Sequence, residues 1–325
     1  MPVEGAIYCV PTQNAAIDLY DDLLAAASPY GVGETTQLQV IAYGGSGGNG
    51  TTEAGGSTGH GGAGGYANTI TTVANIKNAK GTTTVQWLWG KNGSHTQEDE
   101  EGGSGGAATM IWMADDSTTA PSESNALVIA AGGGGGTFSD CCEFTGHDGG
   151  HGGYVNGSGG TANGNYANYK VERNGVTFWV GTGENGHGDG GNPGSAPGNP
   201  GIGGQPYHGD SSNGAGLDGV GGNGGAILSE QDAGSGVDSP GWDGGSVDGV
   251  SLLGKTGIGG DQINDQPSGA GGGGYGGGGA GGGCDACTGG GAGGGSFALA
   301  NTALGNDPTW PHQDSNVVFL FLPND

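Results

Sequence analysis

Runs of glycine constrain this sequence more than any other feature, and the longest, GGGGYGGGGAGGG, spans 271–283. Glycine accounts for 85 of the 325 residues, whereas ordinary proteins contain about 7% glycine. Glycine loses more backbone freedom on ordering than any other residue. Hydrophobic residues make up only 32% of the chain. Something other than a large side-chain core must therefore repay the entropy of folding.

Disorder and collagen are both poor explanations of this composition. Disordered chains are depleted in aromatic residues, yet this chain has 6 Trp and 10 Tyr and carries compact apolar segments near both ends. Collagen needs glycine at every third position, and here glycine falls in doublets and longer runs. The sequence predicts an ordered, glycine-rich fold.

The charge of the chain excludes several classes of partner. Six Lys and Arg against 32 Asp and Glu give a net charge of −26, which repels nucleic acid and anionic membranes. No stretch approaches the roughly 18 apolar residues of a membrane span. The first residues, MPVE, lack the basic and apolar regions of a signal peptide. A protein released by cell lysis, or a mature chain recorded without its leader, would reconcile this start with an otherwise extracellular character.

One helix is predicted near the start of the chain, over 12–27. Thr12 is suited to cap it, and the apolar residues that follow have helical spacing; they are Ile17, Tyr20, Leu23, Leu24 and Ala27. The helix either packs on its own domain or docks the protein to a larger assembly. We treat 1–35 as an N-terminal helical docking segment.

Short β-type runs dominate the rest of the apolar sequence. They are 38–43, 66–73, 82–89, 107–113, 126–131 and 317–322. Strands at such spacing, separated by turn-forming residues, are typical of a β-sandwich or jelly roll. The last run lacks a strong local partner, so 296–325 should pair back onto 36–131. The predicted fold class is all-β.

The region 132–295 is predicted to be a separate inserted body. One hairpin is expected in it, over 169–180 around Asn174-Gly175. Glycine can adopt the extended threefold helix of the polyproline II type, and several such helices can hydrogen-bond side by side because they lack side chains. We therefore expect an inserted bundle of polyglycine II helices whose interior admits only glycine. Changing Gly273 or Gly278 to Val should then disrupt it more than changing Tyr275 to Ala.

Junctions between strands and glycine runs carry a resemblance to a known family. They include LQVIAYGGSGGNG, ALVIAAGGGGG and GGGAGGGSFAL. This pattern resembles the glycine-rich extracellular domain of anaplastic lymphoma kinase and leukocyte tyrosine kinase and related bacterial and viral glycine-rich proteins. The resemblance covers about 36–325 and implies a tumour-necrosis-factor-like jelly roll carrying glycine helices. A second resemblance is to the tail-tip adhesins of T-even-like bacteriophages, which present receptor-binding loops between glycine helices.

Four of the five cysteines lie in two pairs, Cys141-Cys142 and Cys284-x-x-Cys287. Two disulfides crossing between the pairs would join the ends of the glycine-rich region. A bridge inside the second pair is the rival, as are reduced thiols. Zinc is a further alternative, because His147 and His151 lie near the first pair, but that stretch is not helical. Cys9 is then unpaired or pairs between chains.

Evidence for cofactors and catalysis is weak in this sequence. A calcium ion is one interpretation of the scattered acids Asp238, Asp243 and Asp248, and solvated loop carboxylates are the other. No glycine run continues into the Gly-Lys-Ser/Thr of a phosphate loop, and no Ser-His-Asp pattern is recognisable. We expect no enzyme, no cofactor and no metal site.

Aromatic residues in glycine surroundings are the best candidates for binding. Tyr154, Tyr166, Tyr207, His208 and Trp242 occur among Asn, Asp and Gly, a composition typical of adaptable recognition surfaces. The alternative is that these rings cover the sides of the glycine bundle.

The function that the sequence favours is structural and adhesive. We expect a virion protein, such as a phage tail-fibre or spike component that contacts a host receptor, with other virion subunits and copies of itself as partners. The alternative is a secreted matrix or filament subunit that self-assembles outside the cell. The expected location is thus the virion or the extracellular space.

Overall fold

A computed structural model describes the chain in segments. These are 7–9, 16–50, 59–93, 103–115, 124–136, 148–152, 169–173, 176–180, 246–247, 250–251, 269–274, 283–284, 287–288, 290–294, 296–299, 303–305 and 316–322. Within them the chain consists mostly of strands in antiparallel sheets with few helices. The all-β prediction agrees with this arrangement.

The first sheet has five strands in the order β1-β16-β3-β4-β15. Their bounds are β1 Ile7–Cys9, β16 Asn316–Phe321, β3 Gln37–Tyr43, β4 Tyr66–Thr72 and β15 Ala303–Gly305. The final strand pairs along its whole length with β3, from Asn316 opposite Tyr43 to Phe321 opposite Leu38. The end of the chain thus returns to the first half, as the sequence predicted.

The second sheet also has five strands, in the order β14-β7-β6-β5-β2. Their bounds are β14 Phe297–Ala298, β7 Ala126–Ala130, β6 Thr109–Met113, β5 Thr84–Leu88 and β2 Ala16–Asp18. β6 and β7 are buried on both faces, which explains why their sequences are continuous apolar runs rather than alternating ones.

Three two-stranded sheets complete the described strands. They are formed by β8 Tyr169–Arg173 with β9 Val176–Val180, β10 Ser246–Val247 with β11 Val250–Ser251, and β12 Gly283–Cys284 with β13 Cys287–Thr288. The hairpin predicted around Asn174-Gly175 is confirmed, because Arg173 pairs with Val176 across those two residues.

A single hydrophobic cluster joins the two large sheets. Alternate residues of β3 and β16 point into it, including Val40 and Phe319, and meet Trp87 and Ile111 of the second sheet. The Trp87 and Phe319 rings contact each other edge to face at a centroid distance of 6.1 Å. This cluster is the core that the short apolar runs were expected to build.

The N-terminal helix begins later than predicted. Ala16–Asp18 pairs with β5 as a strand, and the helical segment runs through a π-helical turn Leu19–Leu24, α1 Ala25–Ala27 and a 3-10 turn Ser28–Tyr30. Asp18 caps it by accepting from the N–H groups of Tyr20 and Asp21 at 2.8 and 2.9 Å. The bond from Asp21 is the main reason that the pKa of Asp18 is lowered. Thr12, the predicted cap, lies outside the described residues.

The helical segment packs on the protein's own core. Leu19, Leu23, Leu24 and Ala27 are buried in the cluster shared by the two sheets, and Ile17 and Tyr20 pack against it. The apolar stripe identified in the sequence therefore serves the fold itself. Whether this segment also docks to an assembly stays a prediction.

A second helix, α2 Val73–Lys80, lies outside the one helix that the sequence predicts at 12–27. Its signals are local: the Thr72 hydroxyl accepts from Asn75 N–H at 3.0 Å, and Gly81 ends the helix at φ 78°. That left-handed conformation favours glycine. Val73 and Ile76 are buried in the core, so tertiary packing holds this short helix in place.

Phe319 gives a test of the shared core. Replacing Phe319 with Ala should lower the free energy of unfolding by about 3–5 kcal/mol, because it leaves a cavity between the sheets. The neighbouring Val318 alternates to the other face and is partly exposed, so Val318→Ala should cost about 1 kcal/mol or less. Urea unfolding followed by tryptophan fluorescence measures both. Equal losses would mean that the Phe319 side chain is not a core contact.

Candidate functional site: the glycine network

Eight glycine-rich segments extend from the strands and hydrogen-bond to one another. They are 44–50, 59–65, 90–93, 103–108, 131–136, 148–152, 269–274 and 290–294, and we call them the glycine network. Several continue directly from a strand: 44–50 follows β3, and 131–136 follows β7. The network therefore starts at the ends of the sheets and is anchored to the core through its own backbone.

Segment 131–136 is the centre of this network. Each N–H of its five glycines donates to a carbonyl of another segment at 2.7–3.0 Å: Gly132 to Gly273, Gly133 to Gly45, Gly134 to Gly150, Gly135 to Ala270, and Gly136 to Gly48. Its carbonyls accept from three further segments at 2.6–3.1 Å: Ala131 from Gly65, Gly132 from Gly294, Gly133 from Gly106, Gly134 from Gly62, Gly135 from Gly291, and Gly136 from Gly103. The central segment thus has six hydrogen-bonded neighbours.

The bonding pattern repeats every third residue. Gly132 and Gly135 both donate to 269–274, and Gly133 and Gly136 both donate to 44–50. In the first case the partner number falls from 273 to 270, so the two segments are antiparallel; in the second it rises from 45 to 48, so they are parallel. A β-strand has a period of two and hydrogen-bonds within one sheet plane. The network is therefore a three-dimensional packing rather than another sheet.

Close approach of the backbones explains why glycine is required. A Cβ added at Gly135 would meet the Gly103 carbonyl, and one added at Gly134 would meet the Gly291 carbonyl, both well inside the 3.0 Å that real Cβ atoms essentially never cross. The obstacle in each case is backbone, which cannot rotate away as a side chain can. The residues of 132–136 are all buried.

Two alanines correct the expectation that such an interior admits only glycine. Ala270 and Ala292 are fully buried. Ala270 donates to the Gly103 carbonyl, and the Ala292 carbonyl accepts from Gly272 at 2.8 Å. A methyl group is thus accommodated at certain positions of the outer segments.

The network also crosses the predicted domain boundary at residue 131. Segments 44–50, 59–65, 90–93 and 103–108 come from the part of the chain that is predicted to be sandwich alone. Segments 44–50, 59–65 and 103–108 bond to 131–136, and 103–108 also bonds to 269–274, whereas 90–93 bonds to 44–50 and 103–108. The interruptions GGSGGNG and GGAGG between the early strands were therefore network segments rather than simple turns.

Some backbone N–H groups of the network donate to a side chain instead of to a backbone carbonyl. Asn92 Oδ1 accepts from Ser46 N–H at 3.0 Å, and Asn49 Oδ1 accepts from Gly61 N–H at 2.8 Å. These asparagines precede glycines in the sequence and were not identified as functional. The sequence feature that could have identified them is an asparagine directly before a glycine in a glycine-rich stretch.

Asp148 and His151 form a repeated arrangement along segment 59–65. Asp148 Oδ1 accepts from His60 N–H at 2.8 Å, and His151 Nδ1 accepts from Ala63 N–H at 2.9 Å. The N–H of the residue after each acceptor returns a bond: Gly149 donates to the His60 carbonyl and Gly152 to the Ala63 carbonyl. Because the bonded residues are three apart on both segments, 59–65 and 148–152 stay in register.

This arrangement gives the HDGGHGG stretch a structural explanation. The sequence offers His151 as a zinc ligand near Cys141 and Cys142, whereas its Nδ1 accepts a backbone hydrogen bond from Ala63 in the structure. Within the described segments no group of three or more His, Cys, Asp or Glu could hold a metal ion.

Most of the predicted site residues lie outside the described residues. These are Tyr154, Tyr166, Tyr207, His208, Trp242, Cys141 and Cys142, together with Asp238, Asp243 and Asp248. Cys284 and Cys287 are described and occupy facing positions of β12 and β13. Among the mutation sites, Gly273 belongs to the network, where it donates to Gly106 and accepts from Gly132, whereas Tyr275 and Gly278 are outside the described residues.

Comparison with known proteins adds no relative. No protein-family model matches the chain, and no curated protein matches it. No helix among the described segments combines the length and apolar character needed to cross a membrane.

Gly135 gives a direct test of the packing argument. Gly135→Ala should lower the free energy of unfolding by about 1–3 kcal/mol or more, because overpacking here pushes on backbone. The matched control is Gly33→Ala, since a Cβ at Gly33 meets nothing within 4 Å; it should be neutral or stabilise by about 0.4–1 kcal/mol. Circular dichroism melts compare the two. A Gly135→Ala variant as stable as wild type would contradict the close packing.

The side-chain acceptors can be tested separately. His151→Ala should cost about 0.5–1.5 kcal/mol, because it removes one hydrogen bond at an exposed site, and amide hydrogen exchange at Ala63 should accelerate. The control is His60→Ala, because His60 is exposed and supplies its backbone N–H to Asp148; its exchange at Ala63 should match wild type. Unchanged exchange in His151→Ala would mean that the imidazole does not hold this amide.

Proposed function

We propose that this protein is a non-enzymatic virion structural and adhesion protein, a phage tail-fibre or spike component that contacts the host surface. In this proposal the two large sheets form a jelly roll, and the glycine network is a bundle of polyglycine II helices. The bundle acts as a rigid support for recognition loops. The protein works in the virion, beside other virion subunits and copies of itself.

The main support for polyglycine II helices is that the hydrogen-bond partners of the central segment recur after three residues. A polyproline II-type helix has three residues per turn and no internal hydrogen bonds, so its N–H and C=O groups must bond to neighbours. Segment 131–136 meets both requirements, and five of its six neighbours bond to it again after three residues. Six neighbours is also the number expected when parallel rods pack side by side.

Rigidity without a large apolar core is what supports the adhesion role. Adhesion loops need a scaffold that stays ordered outside the cell and holds binding residues in place. A network fastened by backbone bonds supplies that stiffness and leaves the intervening sequence free to vary. The resemblance to phage tail-tip adhesins and to glycine-rich receptor domains points to the same use.

The net charge of −26 narrows the surfaces that this protein can contact. It opposes binding to nucleic acid and to anionic lipid, so the proposal places the contact on a host surface receptor. The aromatic candidates Tyr154, Tyr166, Tyr207, His208 and Trp242 stay predictions for that contact.

Particle fractionation tests the proposed location. An antibody against the full chain should detect it in phage particles banded on a density gradient and should label the tail or surface in electron microscopy. If the chain is missing from particles and the purified protein grows into filaments, the secreted, self-assembling alternative is favoured instead.

A competition assay tests the binding residues. The purified chain should block adsorption of particles to host cells, and Trp242→Ala should weaken that block at least tenfold, a loss of about 1.4 kcal/mol, without changing the melting temperature. The control is Tyr30→Ala, because Tyr30 is an aromatic residue that is 76% exposed on the helical segment; it should compete like wild type. Equal competition by the two variants would remove Trp242 from the contact.

A further inference from the structure

The two cysteines of the Cys-x-x-Cys sequence occupy facing positions in a short β-hairpin. β12 and β13 pair with Gly283 opposite Thr288 and Cys284 opposite Cys287. Asp285 and Ala286 are the two residues between them. This register places the cysteines as the first and fourth residues of a two-residue connection.

Facing positions of this kind satisfy the backbone requirement of a disulfide. Opposed residues of an antiparallel pair have Cα atoms about 4.5 or 5.5 Å apart, depending on the type of pair. Disulfides span Cα separations of about 4.4–6.8 Å. Both types of pair fall inside that window of Cα separations.

We propose that Cys284 and Cys287 form a disulfide with each other across this turn. The bond forms by thiol–disulfide exchange with a low-molecular-weight disulfide such as oxidised glutathione. The first thiolate displaces one glutathione thiolate, and the second attacks the mixed disulfide and releases the other. The two protein thiols lose two electrons and two protons, and the reagent becomes two thiols. This pairing leaves Cys141 and Cys142 out of any crossed bridge with the turn.

The bridge would act close to the glycine network. Thr288 is three residues before Gly291, which donates to the Gly135 carbonyl of the central segment at 3.0 Å. Three extended residues span about 10 Å at most, so Thr288, next to Cys287, lies within that distance of Gly291 in the network. It would fix the chain just before 290–294 joins its neighbours. This inference does not depend on the adhesion proposal.

Peptide mapping of the full chain distinguishes the two pairings. After equilibration with oxidised glutathione, free thiols are alkylated under denaturing conditions and the protein is cut before aspartates without reduction. Cleavage before Asp285 separates 265–284 from 285–306. The proposal expects these two peptides to remain linked. Linkage of either one to 140–147, or alkylation of both Cys284 and Cys287, would overturn it.

Variants provide the control. Cys141→Ser with Cys142→Ser should leave the linked pair of peptides as it is in the unmutated chain, whereas crossed bridges would change a product that contains 140–147 into one that lacks it. Cys284→Ser should expose one additional alkylatable thiol, at Cys287, with the labelling of Cys141 and Cys142 unchanged. A gain of label at Cys141 or Cys142 instead would identify the crossed pairing.

Discussion

Backbone hydrogen bonds between glycine segments are the interaction on which the rest of this structure depends. Ordering glycine carries the largest backbone entropy cost of any residue, and a chain with 85 glycines must recover it. The central segment does so by bonding its five glycine N–H groups and all six of its carbonyls to six neighbours. Each of those neighbours comes from another part of the sequence, so these bonds depend on the tertiary structure. The same absence of side chains that makes ordering costly allows the backbones to approach closely enough for these bonds.

The glycine network and the hydrophobic core are mechanically one unit. The central segment is the direct continuation of β7, and Ala131 at the junction donates its N–H to the Ser296 hydroxyl, beside β14. Gly90, which follows β5, donates to the Thr109 hydroxyl at the start of β6. These polar bonds are buried, where leaving a donor unpaired is costly. The apolar core therefore fixes the positions of the glycine segments that leave it, although these segments have almost no apolar side chains of their own.

Such a network needs a way to end, for the same reason that a β-sheet needs protected edges. An outer segment has N–H groups that no central carbonyl can reach. Asn49, Asn92, Asp148 and His151 supply oxygen or nitrogen acceptors to those groups. Side chains thus take the place of a further glycine segment. This role also explains the Asp148 and His151 pair, whose spacing in the sequence suggests metal ligands at first sight.

Local signals in the sequence determined the β-strands, the hairpin at 169–180 and the all-β class, because apolar patterning and an Asn-Gly turn act within a few residues. The sequence also carried the signals for α2, a capping threonine and a terminal glycine, but these are weak in a helix of eight residues that depends on burial. The start of the N-terminal helix was decided by tertiary structure, since pairing of Ala16–Asp18 with β5 displaced the expected cap. The sequence did not indicate which glycine segments hydrogen-bond to one another. Glycine runs are alike in sequence, so only the positions of the strands that lead into them determine which backbones meet.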